Sequence, residues 1–121
     1  MKHLFTISIL AILLVLGSCK NKKEYNNVCE TDDPVNDIEW LNTYVDGRNQ
    51  SSMDCGYQII RYKYNGDYVY WIDDCVGKDS IDIICNCTGD VVCEYDEVTG
   101  HNSCPDFAEG ATDSTMILNV P

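Results

Sequence analysis

Apolar residues follow three different rhythms along this chain. Residues 4–16 are almost purely apolar, interrupted only by Thr6 and Ser8, behind a short positive start at Met1-Lys2-His3. That is the anatomy of a secretory signal peptide, and the run falls short of the ~20 apolar residues that a membrane-spanning helix needs. Further on the rhythm becomes helical: Val35, Ile38, Leu41 and Val45 recur at helical spacing, joined by Trp40 and Tyr44. Asp33 supplies a cap and Pro34 a first-turn residue, Asp37 and Glu39 suit the positive end of the helix dipole, and Gly47 is placed to stop the helix. One amphipathic helix is predicted over residues 34–46.

After a loop at 48–54 the pattern shortens to alternation. Residues 55–64 are rich in β-branched and aromatic side chains, and Asn65-Gly66 predicts a type I′ hairpin, because both central residues of that turn need positive φ. The register follows from the turn: Tyr64 opposite Asp67, Tyr62 opposite Val69 and Ile60 opposite Trp71 on one face. Ile59 with Ile72, Arg61 with Tyr70 and Lys63 with Tyr68 fall on the other. The first face is the more apolar, so it is expected to pack on the helix, with Arg61 and Lys63 lying over tyrosine rings on the second. Residues 80–87 read as a third strand, Gly89-Asp90 as a second tight turn, and residues 91–95 as a fourth strand. Residues 96–103 read as a polar loop, Cys104-Pro105-Asp106-Phe107 as a tied-down end, and the remainder as a tail that is partly apolar at Met116-Ile117-Leu118.

The leader closes on Leu16-Gly17-Ser18-Cys19, which resembles the lipobox of bacterial lipoproteins. The resemblance implies cleavage before Cys19, diacylation of its thiol and a firm membrane anchor, since two or three acyl chains hold where one does not. The chain then divides into a signal peptide at 1–18, a polar tether at 19–28 and one domain at 29–121, a length that suits a single small core. Twenty acidic against eight basic side chains leave a net charge of −12. Such a chain is repelled by nucleic acid and by anionic lipid, apart from Lys20, Lys22 and Lys23 beside the anchor.

Beyond Cys19 the chain holds Cys29, Cys55, Cys75, Cys85, Cys87, Cys93 and Cys104, an odd set. In an oxidising envelope these give up to three disulfides and one leftover thiol, with connectivity open. If Gly89 and Asp90 form a two-residue turn, Cys85 and Cys87 share one face and Cys93 lies on the other, which disfavours a direct bridge between them. Cys55 with Cys75, at the open end of the first hairpin, and then Cys93 with Cys104 are the favoured pairs. The competing reading is a zinc site from Cys85, Cys87, Cys93, His101 and Cys104; the ligand types suit zinc, but the spacing is not that of paired C-x-x-C knuckles and opposite-facing thiols do not converge. Asp73, Asp74, Asp79 and Asp82 lack calcium-loop spacing and read as solvated turn and strand edges. No phosphate loop, no nucleophile elbow and no partnered general base is present, so no catalytic residue, metal or cofactor is assigned.

Trp40-Leu41, Tyr64-Asn65-Gly66 with Val69-Tyr70, Cys93-Glu94 and Cys104-Pro105-Asp106-Phe107, taken as an ordered set over residues 34–107, resemble small lipoproteins of Bacteroidetes-type bacteria that share a domain of unknown function. A glycine-rich turn usually follows the Cys-Glu pair in that family; here residues 95–100 stand instead. The resemblance brings no catalytic residues with it. The expectation is therefore an α+β domain, one N-terminal helix on an antiparallel sheet of about four strands, stapled by disulfides and anchored through Cys19 to the envelope, at the outer membrane. Its expected role is non-enzymatic, contacting an envelope protein or glycan. Two alternatives are kept: a protease-inhibitor-like blocking module using the loop at 95–103, and the zinc protein.

Overall fold

The computed structural model describes residues 29–121; the leader at 1–18, Cys19 and the tether at 19–28 lie outside the described residues. Alternating stretches form one antiparallel sheet from β1 (Tyr57–Tyr64), β2 (Asp67–Asp74), β3 (Ile81–Cys85), β4 (Val91–Asp96), β5 (His101–Asn102) and β6 (Thr112–Val120), in the order β5-β4-β3-β2-β1-β6. Among the described residues three helices accompany it: α1 (Pro34–Asp37), α2 (Glu39–Gln50) and α3 (Phe107–Gly110). Among the described residues an antiparallel sheet with helices and three disulfides is thus present, but with six strands in place of about four and three helices in place of one.

The helix expected over 34–46 starts at Pro34 as expected, but it is broken at Ile38 and ends later. Ile38 leaves helical geometry (φ −102°, ψ 109°) and sinks into the core at 1% exposure, dividing α1 from α2. Burying an isoleucine outweighs one more turn of hydrogen bonding. At the C-terminal end Gly47 does not stop the helix, because the next residue, Arg48, is drawn inward to a carboxylate on β2 and holds the final turn in place.

The hairpin around Asn65-Gly66 has the register read from the sequence, from Tyr64↔Asp67 through Tyr57↔Asp74, and both turn residues have positive φ (51° and 86°). The faces are the reverse of the expectation. Leu41 and Val45 of α2 pack on Ile59, Tyr70 and Ile72, with Tyr57 and Cys29 in the same core. Parity explains this: Asp74, which pairs with Arg48 of α2, alternates with Ile72 and Tyr70 and so lies on their face. Arg61 and Lys63 occupy the far end of that face, stacked 4.8 and 5.2 Å from the Tyr68 ring, beyond the helix. The more apolar face, with Tyr62, Val69 and Trp71, is covered instead by Phe107 of α3, forming a second core with Ile84 and Cys93.

The second turn is wider than Gly89-Asp90. Asn86 N–H donates to the Asp90 carbonyl, while the Asn86 carboxamide oxygen accepts from Thr88 N–H, Thr88 Oγ1 and Asp90 N–H. One side chain thereby organises a five-residue loop, and a bulge follows between Ile84 and Cys85, so Ile84 pairs with Cys93 and Cys85 with Val91. Gly89, at φ +88°, meets the Trp40 ring, where an added Cβ would lie 2.8 Å from Cγ. Residues 96–103 are not a simple loop: a compact turn closed by Gly100 N–H to Asp96 C=O leads into β5. The tail is edge strand β6, paired with β1 through two register shifts that break its alternation.

Candidate functional site

Phe107 covers only one end of the second sheet face. Towards the other end the alternation of each strand brings Ile60, Trp71, Asp73 and Tyr95 side by side, partly exposed, with Asp82 buried beneath them, Gln58 opposite Asp73 and Asn102 opposite Tyr95. Trp71 and Tyr95 are partly exposed, their ring centroids 6.5 Å apart.

Hydrogen bonds fix the polar groups among these rings. The Trp71 indole N–H donates to Asp82 Oδ2 at 3.0 Å, and Ser80 Oγ lies 3.4 Å from Asp82 Oδ1. Gln58 Nε2 donates to Asp73 Oδ2 at 2.9 Å. Asp82 is 6% exposed, and burial pushes its carboxyl above the ordinary carboxylate range, with the charges of Asp73 and Glu97 adding to the rise and the indole bond opposing it. A buried carboxylate whose bonds all come from neutral donors is a costly group to keep. The arrangement offers flat aromatic surface with fixed hydrogen-bond acceptors, which suits recognition of a ligand.

The cysteines form the bridges Cys29–Cys87, Cys55–Cys75 and Cys93–Cys104, and Cys85 is a buried free thiol. Two of these are the pairs favoured from the sequence. Burial pushes the Cys85 thiol up, away from thiolate reactivity. Cys85 and Cys87 belong to the helix-side core and Cys93 to the other, so the five residues of the zinc reading do not come together. Among the described residues no group of three or more His, Cys, Asp or Glu side chains has a metal-holding arrangement. His101 is exposed on β5, opposite Asp96. Asp96 is itself held below the usual carboxylate range, chiefly by the Thr99 hydroxyl and then by the Thr99 and Val98 N–H groups.

The four aspartates considered together from the sequence do not converge as one set: Asp73 and Asp82 share the second face, and Asp74 lies on the helix side. Asp74 pairs with Arg48, Asp73 with Gln58 and Asp82 with Trp71. A shallow depression of about 350 Å³ beside the end of α2 is lined by Arg48, Met53, Tyr57 and Val120, and its cation is already engaged by Asp74. The grouping of Trp71 with Asp82 and Tyr95 was missed in the sequence. Hairpin parity placed Trp71 on a face, but joining it to Asp82 required the β2–β3 register, which no turn motif announces.

No curated protein and no solved structure matches the chain. The family model for a domain of unknown function, DUF6970, matches residues 46–119, from within α2 to the end of β6, so it begins and ends later than the 34–107 span of the sequence resemblance. It covers the second core, the open face and the sheet side of the first core, and by this match the chain belongs to the family defined by that domain.

Proposed function

We propose that the protein is a non-enzymatic binding module of the bacterial cell envelope, lipid-anchored through Cys19 at the outer membrane, with the open half of the second sheet face as its binding surface. The observation that carries this reading is the set of Trp71, Tyr95, Asp73 and Asp82 on a sheet held by three disulfides. Rigid aromatic and hydrogen-bonding groups on regular strands lose little entropy on binding. Disulfides in a domain of this size accord with export to an oxidising compartment, and the lipobox-like Leu16-Gly17-Ser18-Cys19 supplies the anchor. The affiliation with small Bacteroidetes-type lipoproteins belongs to this proposal.

The test is the intact mass of the chain extracted from its native membrane, alkylated under denaturing, non-reducing conditions, beside a metal assay of the folded sample. Diacyl or triacyl Cys19, one alkylated thiol at Cys85 and no metal are expected. An unacylated amino terminus would overturn the anchor. Several free thiols with stoichiometric zinc would instead support the metal protein.

A blocking module is the second reading, favoured by the turn between β4 and β5. The Cys93–Cys104 bridge clamps its base, Asp96 accepts from Val98 N–H, Thr99 N–H and Thr99 Oγ1, and Val98 stands 67% exposed at the tip. So compact a turn would present Val98 as a knob to plug an entrance, unlike an extended segment laid along a protease cleft. Loss of inhibition of an envelope protease on Val98→Asp would identify this role.

A further inference from the structure

Charge is distributed unevenly between the two sheet faces. Among the described residues the lysines and arginines are Arg48, Arg61, Lys63 and Lys78. Arg48 packs under α2 against Asp74, Arg61 and Lys63 stack on Tyr68 on that same face, and Lys78 sits in the β2–β3 turn with its ammonium 3.4 Å from the Asp54 carbonyl. The open face has none. Its carboxylates, Asp73 and Asp82, are bonded only by neutral groups, with Glu97 close enough to act on Asp82. Arg48–Asp74 is the only ion pair among the described residues.

Resting on the binding-surface reading above, we infer that this face docks a lysine- or arginine-bearing segment of a partner protein, a cationic side chain lying against Trp71 and Tyr95 with Asp73, Asp82 and Glu97 around it. Charge complementarity selects the occupant. An incoming cation supplies the counter-charge that Asp73 and Asp82 lack in the free protein, and an indole or phenol ring beside them adds cation–π attraction. A neutral ligand would bury the same carboxylates deeper with nothing to offset them. Nucleic acid and anionic lipid are repelled by a chain of net charge −12. The size of the surface favours a polypeptide over a free amine: the polar row from Gln58 on β1 to Asn102 on β5 crosses five adjacent strands. At about 4.8 Å per strand spacing that is roughly 19 Å, the reach of about six extended residues.

The test uses the full chain with its disulfides intact and a short alternating glycine–lysine peptide as probe, followed by the Trp71 indole N–H and the backbone amides in nuclear magnetic resonance. Shifts centred on Trp71, Asp82 and Tyr95 are expected, with affinity falling as salt rises. The double variant Asp73→Asn/Glu97→Gln should weaken binding about tenfold, whereas Glu39→Gln/Asp46→Asn, which removes the same charge from the exposed side of α2, should change it less than about twofold. Shifts scattered over the surface, or equal losses in the two double variants, would mean diffuse attraction to an acidic protein and overturn the inference. Binding of a neutral oligosaccharide on this face, with no binding of the lysine peptide, would overturn the cationic partner and leave the binding surface standing. If neither probe moves resonances on this face, both fall.

Discussion

Arg48 Nε donates to Asp74 Oδ1 at 2.6 Å, joining the last turn of α2 to the end of β2, with the arginine side chain 6% exposed and the aspartate 33%. The same guanidinium donates through Nη2 to the Cys55 carbonyl at 3.2 Å and lies 4.8 Å from the centre of the Tyr57 ring. One side chain thus connects helix, hairpin and disulfide. Arg48→Ala removes these bonds and leaves Asp74 without its cation, at an expected cost of about 3 kcal/mol, the lower end for a broken buried pair because Asp74 is partly solvated. Urea denaturation of Arg48→Ala, Asp74→Asn and the double variant measures it. The double variant should be more stable than the two single losses added together predict.

Tyr44 stands beside that pair with its hydroxyl buried and without a hydrogen-bond partner, and burial, reinforced by the Asp74 charge, pushes its phenol up to about 12. An unsatisfied hydroxyl costs stability, so Tyr44→Phe should be neutral or stabilise by up to about 1 kcal/mol at neutral pH. The phenol also imposes an alkaline limit. Between its unfolded pKa of 10.0 and its folded value of about 12 the folded chain holds a proton that the unfolded chain has lost, so stability falls as pH rises through that window. Tyr44→Phe should lose this part of the alkaline decline, read as a shallower fall in melting temperature above pH 10.

Much of this architecture is legible locally. Asn65-Gly66 announces its own backbone geometry, so every pair from Tyr64↔Asp67 to Tyr57↔Asp74 can be written from the sequence. What is not legible depends on distant partners. Apolarity alone favoured the Tyr62–Trp71 face for the helix, but Arg48 finds its carboxylate on the Tyr70–Ile72 face, and Phe107 returns from far along the chain to cover the other. Strand β6 hides because its register shifts, with Asp113 at φ 53°, spoil the alternation that marks a strand. The open face escaped notice for the same reason, since Asp82 becomes a neighbour of Trp71 only after β3 pairs with β2.

Phe107, 5% exposed, meets Tyr62, Tyr64 and Trp71 with ring centroids 4.9–5.4 Å away and is the main apolar cover of the second core. Phe107→Ala should cost about 3–4 kcal/mol. It should also change the fluorescence of Trp71 in the folded state. A loss below about 1 kcal/mol would show that α3 is an accessory to this core and not its lid.

The three disulfides close loops of different length. Sequence separations of 58 for Cys29–Cys87 and 11 for Cys93–Cys104 predict, from chain entropy, about 4 and about 3 kcal/mol respectively. Paired replacement by alanine should therefore be most damaging at Cys29 and Cys87, where the chain ahead of α1 is also tied to the loop that holds Trp40. Chemical denaturation of the two double variants orders them. In the intact chain Cys85, 3% exposed, should alkylate only as fast as the protein opens.

Folded Asp82 has its carboxyl raised above the value of 3.8 that it holds when unfolded, so on raising the pH the unfolded chain releases this proton first. The stability contributed by Asp82 is accordingly present below pH 3.8 and lost as pH climbs through its folded pKa. Asp82→Asn keeps an acceptor for the Trp71 indole and for Ser80 but cannot ionise. It should raise the denaturation midpoint at pH 7, with the advantage shrinking as pH falls through the folded pKa of Asp82 and gone below about pH 4. If Asp82→Asn is instead the less stable protein at neutral pH, the carboxylate is already compensated inside the fold. If it is more stable but binds the glycine–lysine peptide more weakly, the chain retains at Asp82 a charge that burdens its folding and serves its partner.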